Sequence, residues 1–201
     1  MRARMVEEQI VRRRVRDERV LRAMGTVPRH LFVPDYLRDS AYDDGPLPIG
    51  EEQTISQPYV VAFMSEAIRP QPADRVLEVG TGSGYQTAVL ADLVGHVYST
   101  EVRPRLAEAA RARLAELGVS NVTLRAEDGS GGWPEEAPFD SILVTAAAPG
   151  VPEALVEQLG EGGRLVIPIG SGDQELVRVT RGRDGLARER LLPVRFVPLV
   201  L

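Results

Sequence analysis

Residues 76–87 read VLEVGTGSGYQT. A short apolar run closes in three glycines at alternate positions, Gly80, Gly82 and Gly84. The run reads as a buried strand, and the following YQTAVLADLV reads as a helix. Glycines between the two let something approach the backbone closely. Downstream the pattern alternates. HVYSTE, NVTLRAED, FDSILVTAAAP and RLVIPIG read as strands, and PRLAEAARARLAELG and PEALVEQLGEGG as helices. The first of those helices has Pro104 at its start and Gly118 at its end. Strands alternating with helices predict parallel crossovers, hence a doubly wound, mostly parallel α/β sheet. In such a sheet the ligand sits beyond the carboxyl ends of the strands, at the switch point.

The flanks of this unit are less regular. Residues 4–24 predict one amphipathic helix, broken by GTVPRHLFVPDY. Residues 40–57, SAYDDGPLPIGEEQTISQ, predict a long loop that packs and carries function. Residues 58–68 predict a helix with Pro58 in its first turn. Three short β segments close the chain, QELVRVTRG, LARERLLPV and RFVPLVL, with a hairpin turn at 182–185. The expected organisation is one domain over 1–201. Its parts are helices and a loop over 1–70, a ligand-binding core over 71–170 and β segments over 171–201.

Composition excludes several chemistries. The chain has no Cys, and its 24 basic residues are all Arg. Disulfides, thiolate metal sites, Schiff bases and a P-loop lysine are therefore absent. His30 and His96 are the only histidines, and no carboxylate cluster has a metal-binding spacing, so no metal is expected. No apolar stretch approaches a membrane span, and the basic N-terminus lacks the apolar stretch of a signal peptide. The expectation is a soluble, cytoplasmic monomer. Net charge is -5 but uneven, since residues 1–38 hold ten Arg against five acids. Acids interleaved with those arginines favour a solvated helix face over a nucleic-acid surface.

The glycine spacing decides the ligand class. A dinucleotide fingerprint needs G-x-G-x-x-G, and counting from Gly80 the sixth position is Tyr85. Glu101 ends the next strand, 21 residues after Gly80, where a carboxylate can accept hydrogen bonds from both hydroxyls of a ribose. Asp128 and Gly129 end the strand after that, placed for an adenine edge. Glu78 is expected to add negative charge beside the ligand. So acidic a site disfavours a pyrophosphate and suits a cation. S-adenosylmethionine has an adenosine, a sulfonium and no phosphate. The bland alternative is a glycine turn that only lets a helix pack on a strand.

The chain resembles the protein-L-isoaspartate O-methyltransferases, which are protein repair enzymes. The resemblance rests on RHLFVP, AYDDGPLPIGEEQTISQPY, VLEVGTGSGYQTAVLA, EDGSGGWPEEAPFDSILVTAAAP, GGRLVIPIG and VRFVPL. It implies a class I, Rossmann-like methyltransferase that methylates L-isoaspartyl residues of damaged proteins. It further implies Ser56 as the active-site residue, with Thr54, Gln57 and Val197 at the substrate. Gly80, Gly82, Glu101, Asp128 and Gly129 would hold the cofactor, and Ser83, within the same glycine loop, is expected to join them. Glu52 and Glu127 stand where the family usually or often has glycine. Ser56 also reads as the N-cap of the helix at Pro58. The rivals are a methyltransferase of another substrate, a binding module without turnover, and a dehydrogenase. His30 is expected to be a packed residue of the apolar entry segment rather than a base, and His96 to lie at the surface. Tyr42 and Asp44 are expected to anchor the loop, and Trp133 to cap the core near the cofactor loop.

Overall fold

The computed structural model describes residues 1–200. Its centre is a seven-stranded sheet in the order β5-β4-β3-β6-β7-β8-β9. The strands are β3 (Arg75–Val79), β4 (His96–Thr100), β5 (Val122–Arg125), β6 (Phe139–Val144), β7 (Leu159–Ile169), β8 (Gln174–Gly182) and β9 (Gly185–Val194). From β5 to β7 every neighbouring pair is parallel, and the pairs β7–β8 and β8–β9 are antiparallel. The predicted doubly wound sheet with an antiparallel C-terminal hairpin is the observed one. After β3 the chain winds outward through β4 and β5, then returns to β6 on the other side of β3. That reversal is the switch point.

Alternate residues of the central strands feed two cores. Val76, Val97, Leu143 and Val166 face the side covered by the N-terminal elements, α3 (Pro58–Ala67) and α4 (Tyr85–Ala91). Leu77, Val79, Ile142, Leu165 and Ile167 face the opposite side with Trp133 and Phe139. Burial on both faces explains why these strands read as continuous apolar runs. Gly84, with φ of 88°, serves packing: a Cβ there would lie 3.3 Å from Cβ of Ala110, on α5 (Pro104–Glu116).

Four expectations for the flanks are corrected. Residues 4–24 do not form one helix. α1 (Arg2–Arg4) runs through a π turn at Met5–Ile10 and a 3₁₀ turn at Val11–Arg13, and Arg14 ends it in the left-handed region at φ of 71°. α2 (Glu18–Thr26) then starts on Asp17, whose carboxylate accepts from the N–H groups of Arg19 and Val20. An N-cap this effective starts a new helix where hydrophobic spacing alone would continue the old one.

The loop at 40–57 contains a hairpin, β1 (Leu47–Gly50) and β2 (Gln53–Ile55). Its two-residue turn is Glu51-Glu52, with φ of 51° and 59°. Primed turns need positive φ at both positions, hence their usual Asn-Gly or Asp-Gly, and Glu-Glu conceals the signal. The glycine that the resemblance led one to expect at Glu52 is the residue such a backbone favours.

α6 (Glu153–Glu157) is shorter than the predicted helix, because the glycine-rich residues after it belong to an irregular start of β7. Residues 195–200 form no strand. They lie across the ends of the sheet through a single bridge, Ala147 to Pro198. Leu201 lies outside the described residues.

Candidate active site

The loop Gly80–Ser83 leaves β3 at the switch point. The N–H groups of Gly80 and Thr81 both donate to the carbonyl of Thr100, at 2.9 and 3.0 Å, which ties the loop to the end of β4. At Gly80 φ is 98°, and a Cβ would run into Thr145 Oγ1. That hydroxyl donates to the carbonyl of Gly80 at 2.5 Å. At Gly82 the only neighbour of a Cβ among the described residues would be Ile49 of the hairpin, at 3.6 Å. The loop is thus braced from below at Gly80 and open above at Gly82.

A cleft opens over this loop. Its wall includes Thr81, Ser83, Thr100, Glu101, Asp128 and Gly129 on the sheet side. Thr54 of the hairpin and Ser56 just after it close the cleft on one side, and Val197 to Val200 of the C-terminal segment on another. Glu101 is 6% exposed. Its Oε2 accepts from the N–H of Gly82 at 2.7 Å and its Oε1 from the N–H of Arg103 at 3.0 Å. Two backbone donors fix the carboxylate and leave lone pairs on both oxygens for a ligand diol. Beside it the hydroxyl of Thr100 is buried without a partner among the described residues. Gly129 lies against the same threonine, so closely that a Cβ would overlap Thr100 Oγ1. Asp128 accepts from the N–H and the hydroxyl of Ser130 at 2.8 and 2.9 Å, which orients it at the rim. A rigid carboxylate with free lone pairs, a second carboxylate at the rim and the open backbone at Gly82 fit an adenosine.

A second cavity of about 510 Å³ adjoins the first. Thr54, Ser56, Thr145 and Val197 belong to the walls of both. Gln57 lines this groove and not the cleft. Its amide donates to Asp44 Oδ1 at 2.6 Å, and Asp44 pairs with Arg13. Arg13 in turn lies over the ring of Tyr59 at 5.0 Å. Asp44 anchors the loop, as expected. Tyr42 does so as well, through His30 Nδ1 at 2.7 Å and Arg2 Nε at 3.2 Å.

The capping role for Ser56 is not found: the N-cap of α3 is Gln57, with no side-chain cap. The structure therefore brings Ser56, Thr54, Gly80, Gly82, Ser83, Glu101, Asp128, Gly129 and Val197 together around one cleft. Thr100 and Thr145 were not singled out from the sequence. No motif marks them, and the only available signal is their position beside the switch point. Glu127 stays off the cleft, paired with Arg125 at 3.3 Å. Trp133 is buried in the second core, 5.5 Å from the ring of Tyr98, and lines neither cavity. His96 is partly exposed and pairs with Thr123 Oγ1 at 2.8 Å, away from both cavities.

Glu78 is corrected. It is fully buried and does not reach the cleft. Strand alternation puts it on the face of Val76, under α4, where Oε2 accepts from Thr87 at 2.5 Å and Ser99 at 2.6 Å. Its Oε1 is buried without a partner among the described residues. Burial pushes its carboxyl up to about 7, against the two hydroxyl donors that pull it down. The negative charge of the cleft therefore comes from Glu101 and Asp128.

A folded-state pKa above the unfolded value means stability that is present below about 4.5 and lost as pH rises through about 7. Glu78→Gln keeps the shape and an acceptor for both hydroxyls while removing the titration. The variant is expected to lose less stability than the parent between pH 5 and pH 8, by on the order of 3 kcal/mol. Urea midpoints at the two pH values measure this, and parallel losses would contradict it.

The site can now be set beside known proteins. The model of the protein-L-isoaspartate(D-aspartate) O-methyltransferase family matches residues 1–201. Protein-L-isoaspartate O-methyltransferase 1 of Syntrophobacter fumaroxidans is 54% identical over 200 residues, covering 99% of this chain and 94% of that protein. The protein-L-isoaspartate O-methyltransferase of Methylorubrum extorquens is 58% identical over 201 residues, covering 99% and 88%. One solved protein-L-isoaspartate O-methyltransferase superposes with a TM-score of 0.89 at 33% identity, over 98% of this chain and 65% of that one. A Plasmodium falciparum structure described as the same kind of enzyme, in complex with S-adenosyl-L-homocysteine, gives 0.84 at 27% identity over 99% and 98%. Sequence profile, near full-length relatives and fold agree, and the chain belongs to the protein-L-isoaspartate(D-aspartate) O-methyltransferase family.

Proposed function

We infer that this protein transfers a methyl group from S-adenosylmethionine to the α-carboxylate of L-isoaspartyl residues in damaged proteins, the step that starts their repair. One observation carries the reading. A cleft fitted to an adenosine shares a wall with a peptide-sized groove, and neither lining contains His, Lys or Cys. An α-carboxyl has a pKa of roughly 3.5 and is ionised at neutral pH, so the acceptor needs no general base. When bound, the cofactor supplies an electrophilic methyl group on a cationic sulfur.

The protein's residues bind, orient and exclude water. Glu101 would hold the ribose, and Asp128 and Gly129 the adenine. The backbone of Gly80–Ser83 lies alongside. Ser56, at the seam of cleft and groove, would donate to the acceptor carboxylate and fix its direction. Thr54 and Gln57 would line the peptide side, and Val197 would give it an apolar border. Orientation supplies much of such a barrier, and charge neutralisation is favoured by a site that excludes water.

We place this activity in the cytoplasm, on a monomer that binds no nucleic acid. Among the described residues no helix is long and apolar enough to cross a membrane. Several N-terminal arginines are engaged internally. Arg2 donates to the carbonyl of Thr26 at 2.6 Å, Arg4 pairs with Glu8 at 3.2 Å, and Arg13 pairs with Asp44. The test is a pair of peptides that differ only in an isoaspartyl or an aspartyl linkage, with labelled methyl donor. Base-labile ester on the isoaspartyl peptide alone is the expected result. Equal labelling, or none on either, would overturn the reading.

A further inference from the structure

The groove differs in charge from the rest of the molecule. The protein carries a net charge of -5, yet the groove lining contains two arginines, Arg13 and Arg195, and no acid. Their situations differ. Arg13 is committed: it pairs with Asp44 and stacks on Tyr59, so its corner is neutral. Arg195 is exposed, and no carboxylate pairs with it among the described residues.

The backbone that carries Arg195 is nevertheless held. Gln174 grips Phe196 from both sides, donating to its carbonyl at 3.0 Å and accepting from its N–H at 2.6 Å. Just beyond it, the N–H of Ala147 donates to the carbonyl of Val197 at 2.8 Å, and the N–H of Leu199 donates to the carbonyl of Ala147 at 2.7 Å. A cation with no carboxylate partner among the described residues thus stands on a pinned segment, at the lip of the groove that reaches Ser56.

We propose that Arg195 is a specificity-determining residue that selects peptides with an acidic side chain beside the isoaspartyl residue. The proposal rests on the methyltransferase reading above. The α-carboxylate that accepts the methyl group is common to every substrate, so attraction of Arg195 for it cannot rank one peptide over another. A flanking Glu or Asp can. An ion pair at an exposed lip is worth little, so the preference should be modest and sensitive to salt.

Three isoaspartyl peptides, with Glu, Gln or Lys next to the isoaspartyl residue, are compared by KM at low and high salt. The wild-type protein is expected to give a KM about two- to fivefold lower for the Glu peptide than for the Gln peptide. The Lys peptide should be worst, and the contrast should shrink at 0.5 M salt, where the Debye length falls to roughly 4 Å. Arg195→Gln should flatten the ranking and Arg195→Glu should invert it. Each ranking is a ratio within one variant, so a change in overall activity does not disturb it. Equal KM values for the three peptides in the wild-type protein, or a ranking that survives in Arg195→Glu, would overturn the proposal while leaving the activity standing. If no isoaspartyl peptide is methylated at all, the activity itself is overturned and this proposal with it.

Discussion

Glu101→Ala is expected to weaken cofactor binding by about 100-fold or more. Two charge-assisted hydrogen bonds to a ribose diol are worth about 1.5–3 kcal/mol each. Even the lower sum corresponds to about two orders of magnitude in Kd. The structure adds a second loss. The carboxylate is also the acceptor for the N–H groups of Gly82 and Arg103, so removing it releases the upper turn of the glycine loop. Glu101→Gln retains one oxygen acceptor and should fall between the two. Calorimetric titration with S-adenosyl-L-homocysteine measures all three proteins. An unchanged Kd for Glu101→Ala would mean that the ribose binds elsewhere, and the cofactor assignment of the cleft would fail.

The second large effect is expected at Ser56. Its alanine variant should lose one charge-assisted hydrogen bond to the acceptor carboxylate, about 1.5–3 kcal/mol, and slow turnover by roughly ten- to a few hundredfold. Because Gln57 is the residue at the start of α3, Ser56→Ala should leave the thermal midpoint unchanged, which separates the catalytic loss from a folding defect. Single-turnover rates with saturating isoaspartyl peptide provide the measurement. A loss of about 10⁴-fold would identify a nucleophile and contradict the orienting role.

The sheet was legible in the sequence because its signal is periodic. Strands buried on both faces, each followed by a helix or a loop, leave a pattern that survives without tertiary information. The glycine loop was legible because its spacing excluded a dinucleotide, and Glu101 because its distance from Gly80 matches one strand and one crossover. What escaped was decided by single residues or by parity. Asp17 restarts a helix within an arginine-rich run whose hydrophobic spacing favours continuity. Glu51 and Glu52 occupy positive φ without the glycine that would have announced the hairpin. Glu78, two residues before Gly80, reads as a ligand neighbour and is instead turned under α4. In a strand buried on both faces, the sequence does not say which parity meets the helix. Thr145 had no motif at all, since its role is to sit beneath Gly80.

The shared wall has a consequence for the order of events. Four residues, Thr54, Ser56, Thr145 and Val197, face both cavities, so an occupant of either one touches part of the other's wall. Linkage makes this reciprocal: by whatever factor the nucleoside changes peptide affinity, the peptide changes nucleoside affinity equally. If the two cavities hold cofactor and client as proposed, a loaded and a spent cofactor would present different surroundings to the client across those four side chains.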